Sequence, residues 1–341
     1  MCNCPDEELW QTGKPEERVK LLQKLRQTEP IKAREWLQQT WEQENAANKV
    51  ELLKVLRINS SPADLPWLES LQGEKGQKVK DEVLILLKQI PGSSIIKKYE
   101  EVLSTAVVLK KEKALFGMMN KTSIQLQLPD NIDESIFKSG IEKLAGQKST
   151  ISDNEFVIFQ LISFVPPVFW ETNFDANPGQ VVEYFEKHAS FLLSALSAAV
   201  ARFKETTWIP HFFYHDDFYA DFAALLPIPE REKYFLKFVD VDAPNKQSLS
   251  FTAIDIIQHA SKLTDEWGLA FALQAIKFMA NNPYQYNRGF YNQNIKLIPV
   301  SMLGQLDKMD SKDQKPAIIL GKKPGASHQI INLKAANAAS I

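Results

Sequence analysis

The sequence predicts an all-α protein: a HEAT-like solenoid of helical hairpins followed by a packed helical C-terminal region. Three observations carry that expectation. Apolar residues recur at three- and four-residue spacing through the stretch 15–93, one stripe after another. Helix start and stop signals bound the stripes. The helices that begin near Pro15, Ala46 and Gly76 are spaced by about 30 residues, somewhat short of the ~40–47 of a HEAT repeat.

Pro15 opens the first helix at the position where its missing N–H costs nothing, and Val19, Leu22 and Leu25 form its stripe beside Leu21. Pro30 opens the second, with Ala33, Trp36, Leu37 and Trp41 at helical spacing. A polar run at Glu44 and Asn45 precedes the third, whose stripe is Val50, Leu53 and Leu56. In Ser61-Pro62-Ala63-Asp64, Ser61 can cap, Pro62 suits a first turn, and the Asp64 carboxylate stands where the helix dipole favours it. Leu65, Leu68 and Leu71 follow, with Trp67 alongside. Gly73 and Gly76 bracket a turn, Val79, Val83, Leu87 and Ile90 line the fifth helix, and Pro91-Gly92 stops it. One such hairpin cannot bury its apolar face alone. Stacking buries a continuous core, each buried Leu or Val contributing roughly 1.5–3 kcal/mol.

Beyond the stacked hairpins, Ser94 to Lys113 reads as helix, anchored by Ile95, Tyr99, Val102 and Val107. Ile124, Leu126 and Leu128 then alternate with polar residues at strand period. With no second strand evident nearby, the stretch reads as an extended linker packed along the helices. Glu155 to Phe164 is a short apolar helix, ended by Pro166-Pro167, and Phe169 and Trp170 read as a core corner rather than a ligand platform. Asn177-Pro178 begins a helix bearing Val181, Val182, Phe185 and His188, and the alanine- and serine-rich run Phe191 to Phe203 suits close packing. Pro227 to Val239 is a helix; Phe251 to Leu263 and Asp265 to Ala280 make a pair, the second capped by Thr264. Tyr284, Tyr286, Arg288, Phe290 and Tyr291 carry too little charge for a single-strand binding surface and read as a polar aromatic loop. Ile295 to Met309 is the last helix, and a flexible tail follows. The expected divisions are 1–115 (hairpins), 116–150 (a junction with one extended segment), 151–310 (helical C-terminal region) and 311–341 (tail).

The order and spacing of Lys14-Pro15-Glu16-Glu17-Arg18, Ala33-Arg34-Glu35-Trp36-Leu37, Lys49-Val50-Glu51-Leu52-Leu53, Leu65-Pro66-Trp67-Leu68-Glu69, Val79-Lys80 and Leu86-Leu87 leading to Ile90-Pro91-Gly92-Ser93 resemble the core of a bacterial domain-of-unknown-function family with HEAT-like helices. Pro167-Val168-Phe169-Trp170 and the helix from Ala198 to Trp208 are similar to its later part, so the resemblance reaches to about Leu226. The short N-terminus before the hairpins departs from its pattern. The resemblance implies the fold and a bacterial cytoplasmic setting. It also implies a gene neighbourhood with a SWIM zinc-finger protein, a MoxR-type AAA ATPase and a von Willebrand A-domain protein. It implies no catalytic residues and no cofactor.

Charge and composition narrow the function. A net charge of −2 over 341 residues gives no global attraction to nucleic acid or to an anionic membrane. The first residues are polar and acidic, unlike a signal peptide, and no apolar run approaches the ~18–20 residues of a spanning helix. A soluble cytoplasmic protein is expected, with no membrane association. Cys2-x-Cys4 without a partner pair is a weak metal signal at a terminus expected to fray. His211 and His215, four apart and followed by Asp216, Asp217 and Asp221, offer a metal set of His211, His215 and Asp217. There is no Glu beside His211 as a zincin requires, and Phe212, Phe213 and Phe218 around it favour packing. Lys97, Lys98, Lys110, Lys111 and Lys113 are candidates for phosphate contacts, but Glu100, Glu101 and Glu112 lie among them. Gly321-Lys322-Lys323-Pro324-Gly325 lacks P-loop spacing, and no nucleophile elbow is present. The expected function is a non-catalytic protein–protein scaffold, with the AAA ATPase or its von Willebrand A companion as partner. The alternatives are a metal-dependent enzyme at the histidine cluster and a HEAT-like nucleic-acid binder.

Overall fold

The computed structural model describes residues 5–114, 119–147, 149–212, 220–239, 253–281 and 293–302. By contacts the chain forms two units, residues 1–208 and 209–341.

The first unit begins with α1 (Pro5–Thr12), α2 (Pro15–Thr28), α3 (Pro30–Thr40), α4 (Ala46–Val55), α5 (Leu65–Ser70), α6 (Gln77–Leu87) and α7 (Ser94–Ala106). The local chemistry sets these boundaries. Pro15 and Pro30 sit in the first turns of α2 and α3. The Asn45 side chain accepts the Asn48 N–H at the start of α4, and Ser93 does the same for Ile96 in α7. Gly92 supplies the left-handed turn between α6 and α7 (φ 83°). The apolar stripes face inward: Leu22, Leu37, Leu53, Val83 and Leu87 are wholly buried. α2 packs on α3 and on α4, α4 packs on α6, and α5 packs on α6. Helix α1 precedes the stretch where the apolar pattern begins. It is secured by Trp10, which is buried against Trp36 with ring centroids 6.0 Å apart.

The expectation of an all-α fold and of helix through Lys113 is corrected by a β-hairpin. Helix α7 ends at Ala106, and β1 (Val107–Ala114) pairs antiparallel with β2 (Met119–Leu126) in register Val107↔Leu126, Leu109↔Ile124 and Lys111↔Thr122. The alternation at Ile124 and Leu126 is therefore a real strand, and its partner is the segment that reads as helix. The lysines and glutamate of 110–113 are good helix formers and mask it. Val107 and Val108 are β-branched, and Val107 is wholly buried beneath the ladder. On the same face Thr122 Oγ1 lies 3.0 Å from His188 Nε2, and Lys111 Nζ donates to the Phe174 carbonyl at 3.1 Å. A lone two-stranded ribbon is marginal in water, so this docking secures it.

The unit continues through α8 (Glu134–Lys138), α9 (Asp153–Ile162), α10 (Val168–Phe174), α11 (Pro178–Ala189) and α12 (Leu193–Phe203). Ser152 caps α9 in a reciprocal arrangement with Glu155, and Asn177 caps α11 with Gln180. Trp170 is fully buried and packs edge-on against Phe185 at 5.1 Å and beside Phe174 at 5.2 Å, so the aromatic corner is core.

A 3-10 turn, Thr206–Phe212, runs across the division between the units. The second unit holds a 3-10 turn at Ala220–Leu225, then α13 (Ile228–Val239), α14 (Ala253–Lys262), α15 (Leu269–Asn281) and a last 3-10 turn at Val300–Met302. Its core gathers Phe235, Phe271, Trp267, Ile256 and Ile298. Two expectations are corrected here. Thr264 does not cap α15, which begins at Leu269; the intervening chain is irregular, held by Arg231 on Asp265 (2.9 Å) and by Glu232 accepting the Gly268 N–H. The Glu232 carboxylate occupies the place a Cβ at Gly268 would take. Residues 295–297 form a turn rather than the start of a helix, and Pro299, which lacks an N–H, follows; the part of the expected helix from 303 to 309 lies outside the described residues. Among the described residues no helix is long and apolar enough to cross a membrane.

Candidate functional site

Clefts flank α4, and the helix is fixed at its far end by an ion pair between Arg26 of α2, with a side chain 0% exposed, and Asp64, at 1%. The guanidinium donates from Nη1 and Nη2 to the two Asp64 oxygens at 3.2 and 3.0 Å. It also donates to the carbonyls of Pro30, Leu56, Ile58 and Asn59. Asp64 further accepts Arg34 at 2.9 Å and the Ser61 N–H at 3.0 Å. A buried charge is tolerated only when so satisfied. Asp64 stands at the helix start that Ser61-Pro62-Ala63-Asp64 signals, and it also meets Arg26, 38 residues away, which no spacing rule links to it.

Two clefts open on either side of α4. One, of about 410 Å³, lies between α2 and α4 over Val19 and Leu52. Its wall is Arg18, stacked 4.4 Å from the Trp10 ring and paired with Glu44. The other, of about 610 Å³, is bounded by Trp41, Lys49, Trp67 and Glu74. Here the Trp41 indole N–H donates to Glu74 Oε1 at 2.6 Å, and Lys49 Nζ donates to the same oxygen at 3.0 Å. Lys49 also lies 4.6 Å from the Trp41 ring centroid. Trp67 meets Trp41 edge-on at 5.3 Å and 85°. Burial pushes the Glu74 carboxyl up, but the hydrogen bonds from Trp41 and Lys49, with the Lys49 charge, outweigh it and hold it below the usual range. The floor of this cleft is thus a carboxylate held toward its charged form, its Oε1 shared by the Trp41 indole and the Lys49 ammonium.

The residues singled out by sequence fall elsewhere. His211 stands in the 3-10 turn Thr206–Phe212, which contains Pro210. His215 and Asp217 lie outside the described residues, as do Cys2, Cys4, the aromatic run 284–291 and the tail. Among the described residues no three His, Cys, Asp or Glu side chains gather as a metal site. Of the lysines offered for phosphate contacts, Lys98 is on Asp133 at 3.1 Å and Lys111 is on the Phe174 carbonyl. Cleft residues Trp41, Lys49, Trp67 and Glu74 escaped sequence reasoning because Glu74 is 25 residues from Lys49 and no spacing rule links them. The one available signal was the density of tryptophan between Trp36 and Trp67.

Fold and surface together define a protein that, among the described residues, is mostly helical with a β-hairpin and clefts on either side of α4. The chain belongs to a family of unknown function, DUF5691, whose model matches residues 3–324. No curated protein and no solved structure matches the chain.

Proposed function

We propose that the protein is a HEAT-like interaction scaffold that holds a protein partner along its N-terminal helices. One observation carries this reading: α2, α4 and α6 begin at evenly spaced positions, Pro15, Ala46 and Gln77, each packing on the next, with clefts open beside the middle one. Such spacing supports the reading of a helical-hairpin array, a design that offers a long surface and needs no reactive group. The proposed partner is the AAA ATPase or the von Willebrand A-domain protein that the sequence resemblance implies, in a cytoplasmic setting.

The test is affinity purification of the tagged full chain from its native cells, with mass spectrometry of co-purified proteins. Stoichiometric recovery of one partner is expected, lost when Trp67 and Glu74 are both replaced by Ala. Recovery of the chain alone, under gentle extraction and crosslinking, would count against the scaffold.

A further inference from the structure

The β-hairpin leaves one edge open. The Gln127 N–H donates to the Ala106 carbonyl at 2.9 Å, which makes these opposed residues a hydrogen-bonded pair. Such pairs recur at every second residue, so Val108, Lys110 and Glu112 of β1 bond to Gln125, Ser123 and Lys121 of β2. The main-chain N–H and C=O of Leu109 and Lys111 therefore point away from β2, as does the Val107 carbonyl. Asn173 Nδ2 reaches that carbonyl at 3.4 Å from α10, as the direction requires. Among the described residues, the outward groups of Leu109 and Lys111 have no hydrogen-bond partner, and no element but β2 and α7 packs substantially on β1. The other strand, β2, has α11 against it.

An open edge is a template for one more strand, which it holds by main-chain hydrogen bonds. Side chains decide which strand. Lys110 and Lys111 are exposed and flank the edge on its two faces. Lys111 donates to the Phe174 carbonyl, and among the described residues no carboxylate pairs with either lysine. Glu112 stands opposite Lys121 of β2. Two copies of β1 paired antiparallel through Leu109 and Lys111 would set Lys110 on Lys110 or Lys111 on Lys111, according to register, and like charges directly opposite are destabilising. Lysines at an edge thus discourage pairing with a second copy and favour a strand that carries carboxylates. We propose that the outer edge of β1 binds an extended acidic segment of a partner protein, which pairs with the main chain of Leu109 and Lys111 and sets its carboxylates beside Lys110 and Lys111. The inference is independent of the scaffold reading, which concerns the N-terminal helices.

The test uses the full chain and a peptide of alternating Glu and Thr of about six residues, the usual strand length. Two controls have the same length: one alternates Lys and Thr, and one is the acidic peptide N-methylated at every second residue, which cannot donate to the edge. Binding is followed by calorimetry, and hydrogen exchange follows the amides of Leu109 and Lys111. Saturable binding of the acidic peptide alone is expected, with exchange of those two amides slowed. Lys110→Glu is expected to weaken it about tenfold or more at an unchanged melting temperature. No saturation by about 1 mM, equal binding of either control, binding that leaves the two amides exchanging as before, or undiminished binding in Lys110→Glu overturns the proposal. Protection of the same amides by raising the concentration of the chain alone would also overturn it, making the occupant a second copy.

Discussion

Arg26 and Asp64, 38 residues apart in sequence, meet as a two-pronged ion pair from which water is excluded. The pair joins α2 to the turn that follows α4. Removing one partner of such a pair strands the other, at a cost of about 3–5 kcal/mol. Arg26→Met is therefore expected to lower the stability of the first unit by that amount in urea denaturation followed by tryptophan fluorescence. A loss below about 1 kcal/mol, the value of a surface pair, would show that the site rearranges to rehydrate Asp64.

Asn177 caps α11 by accepting the Gln180 N–H at 3.0 Å, while Gln180 returns a bond to the Asn177 N–H. Asn177→Ala is expected to cost about 1 kcal/mol and Asn177→Gly only a few tenths. Thermal melts of the two variants check the order. No loss in Asn177→Ala would mean that the cap side chain contributes nothing.

Tyr99 is wholly buried, and burial pushes its phenol up to about 12 against the opposing hydrogen bond with Ser139. The folded value lies above the ordinary one near 10. This contribution is thus complete below pH ~10 and is lost as pH rises toward ~12. Tyr99→Phe is expected to flatten the fall in stability across that window, and the tyrosinate absorbance of the native chain should show one late-titrating phenol. An unchanged slope in Tyr99→Phe would discard the assignment.

Lys88 and Arg202 share the Phe164 ring, at 4.7 and 4.2 Å from its centroid, and each donates to a carbonyl at a helix end, Ser139 and Ser163. Burial, with the Arg202 charge, holds the Lys88 ammonium below its usual pKa. Replacing Arg202 by Met is expected to move Lys88 back upward, as read by NMR titration of its Nζ. A downward shift would mean that lost packing, not relieved repulsion, dominates.

Legibility followed the range of the interactions. Pro15, Pro30 and Asn177-Pro178 open helices as their local chemistry directs, because a helix start is decided within a few residues. The apolar stripes were equally plain, since Leu22, Leu53 and Val83 repeat within one helix. Val107–Ala114 misled because strand or helix there depends on Ile124 and Leu126 across the hairpin. The irregular stretch before α15 misled for the same reason: Asp265 and Gly268 answer to Arg231 and Glu232, more than thirty residues away. The clefts were hidden furthest, since their walls are assembled from segments separated in sequence.

Glu74 sets the mechanical character of that assembly. It belongs to the turn before α6, and its oxygen takes Trp41 from the end of α3 and Lys49 from α4. Three segments, from the end of α3, from α4 and from the turn before α6, are thereby pinned at one atom, as leaves of a spring are pinned by a single rivet.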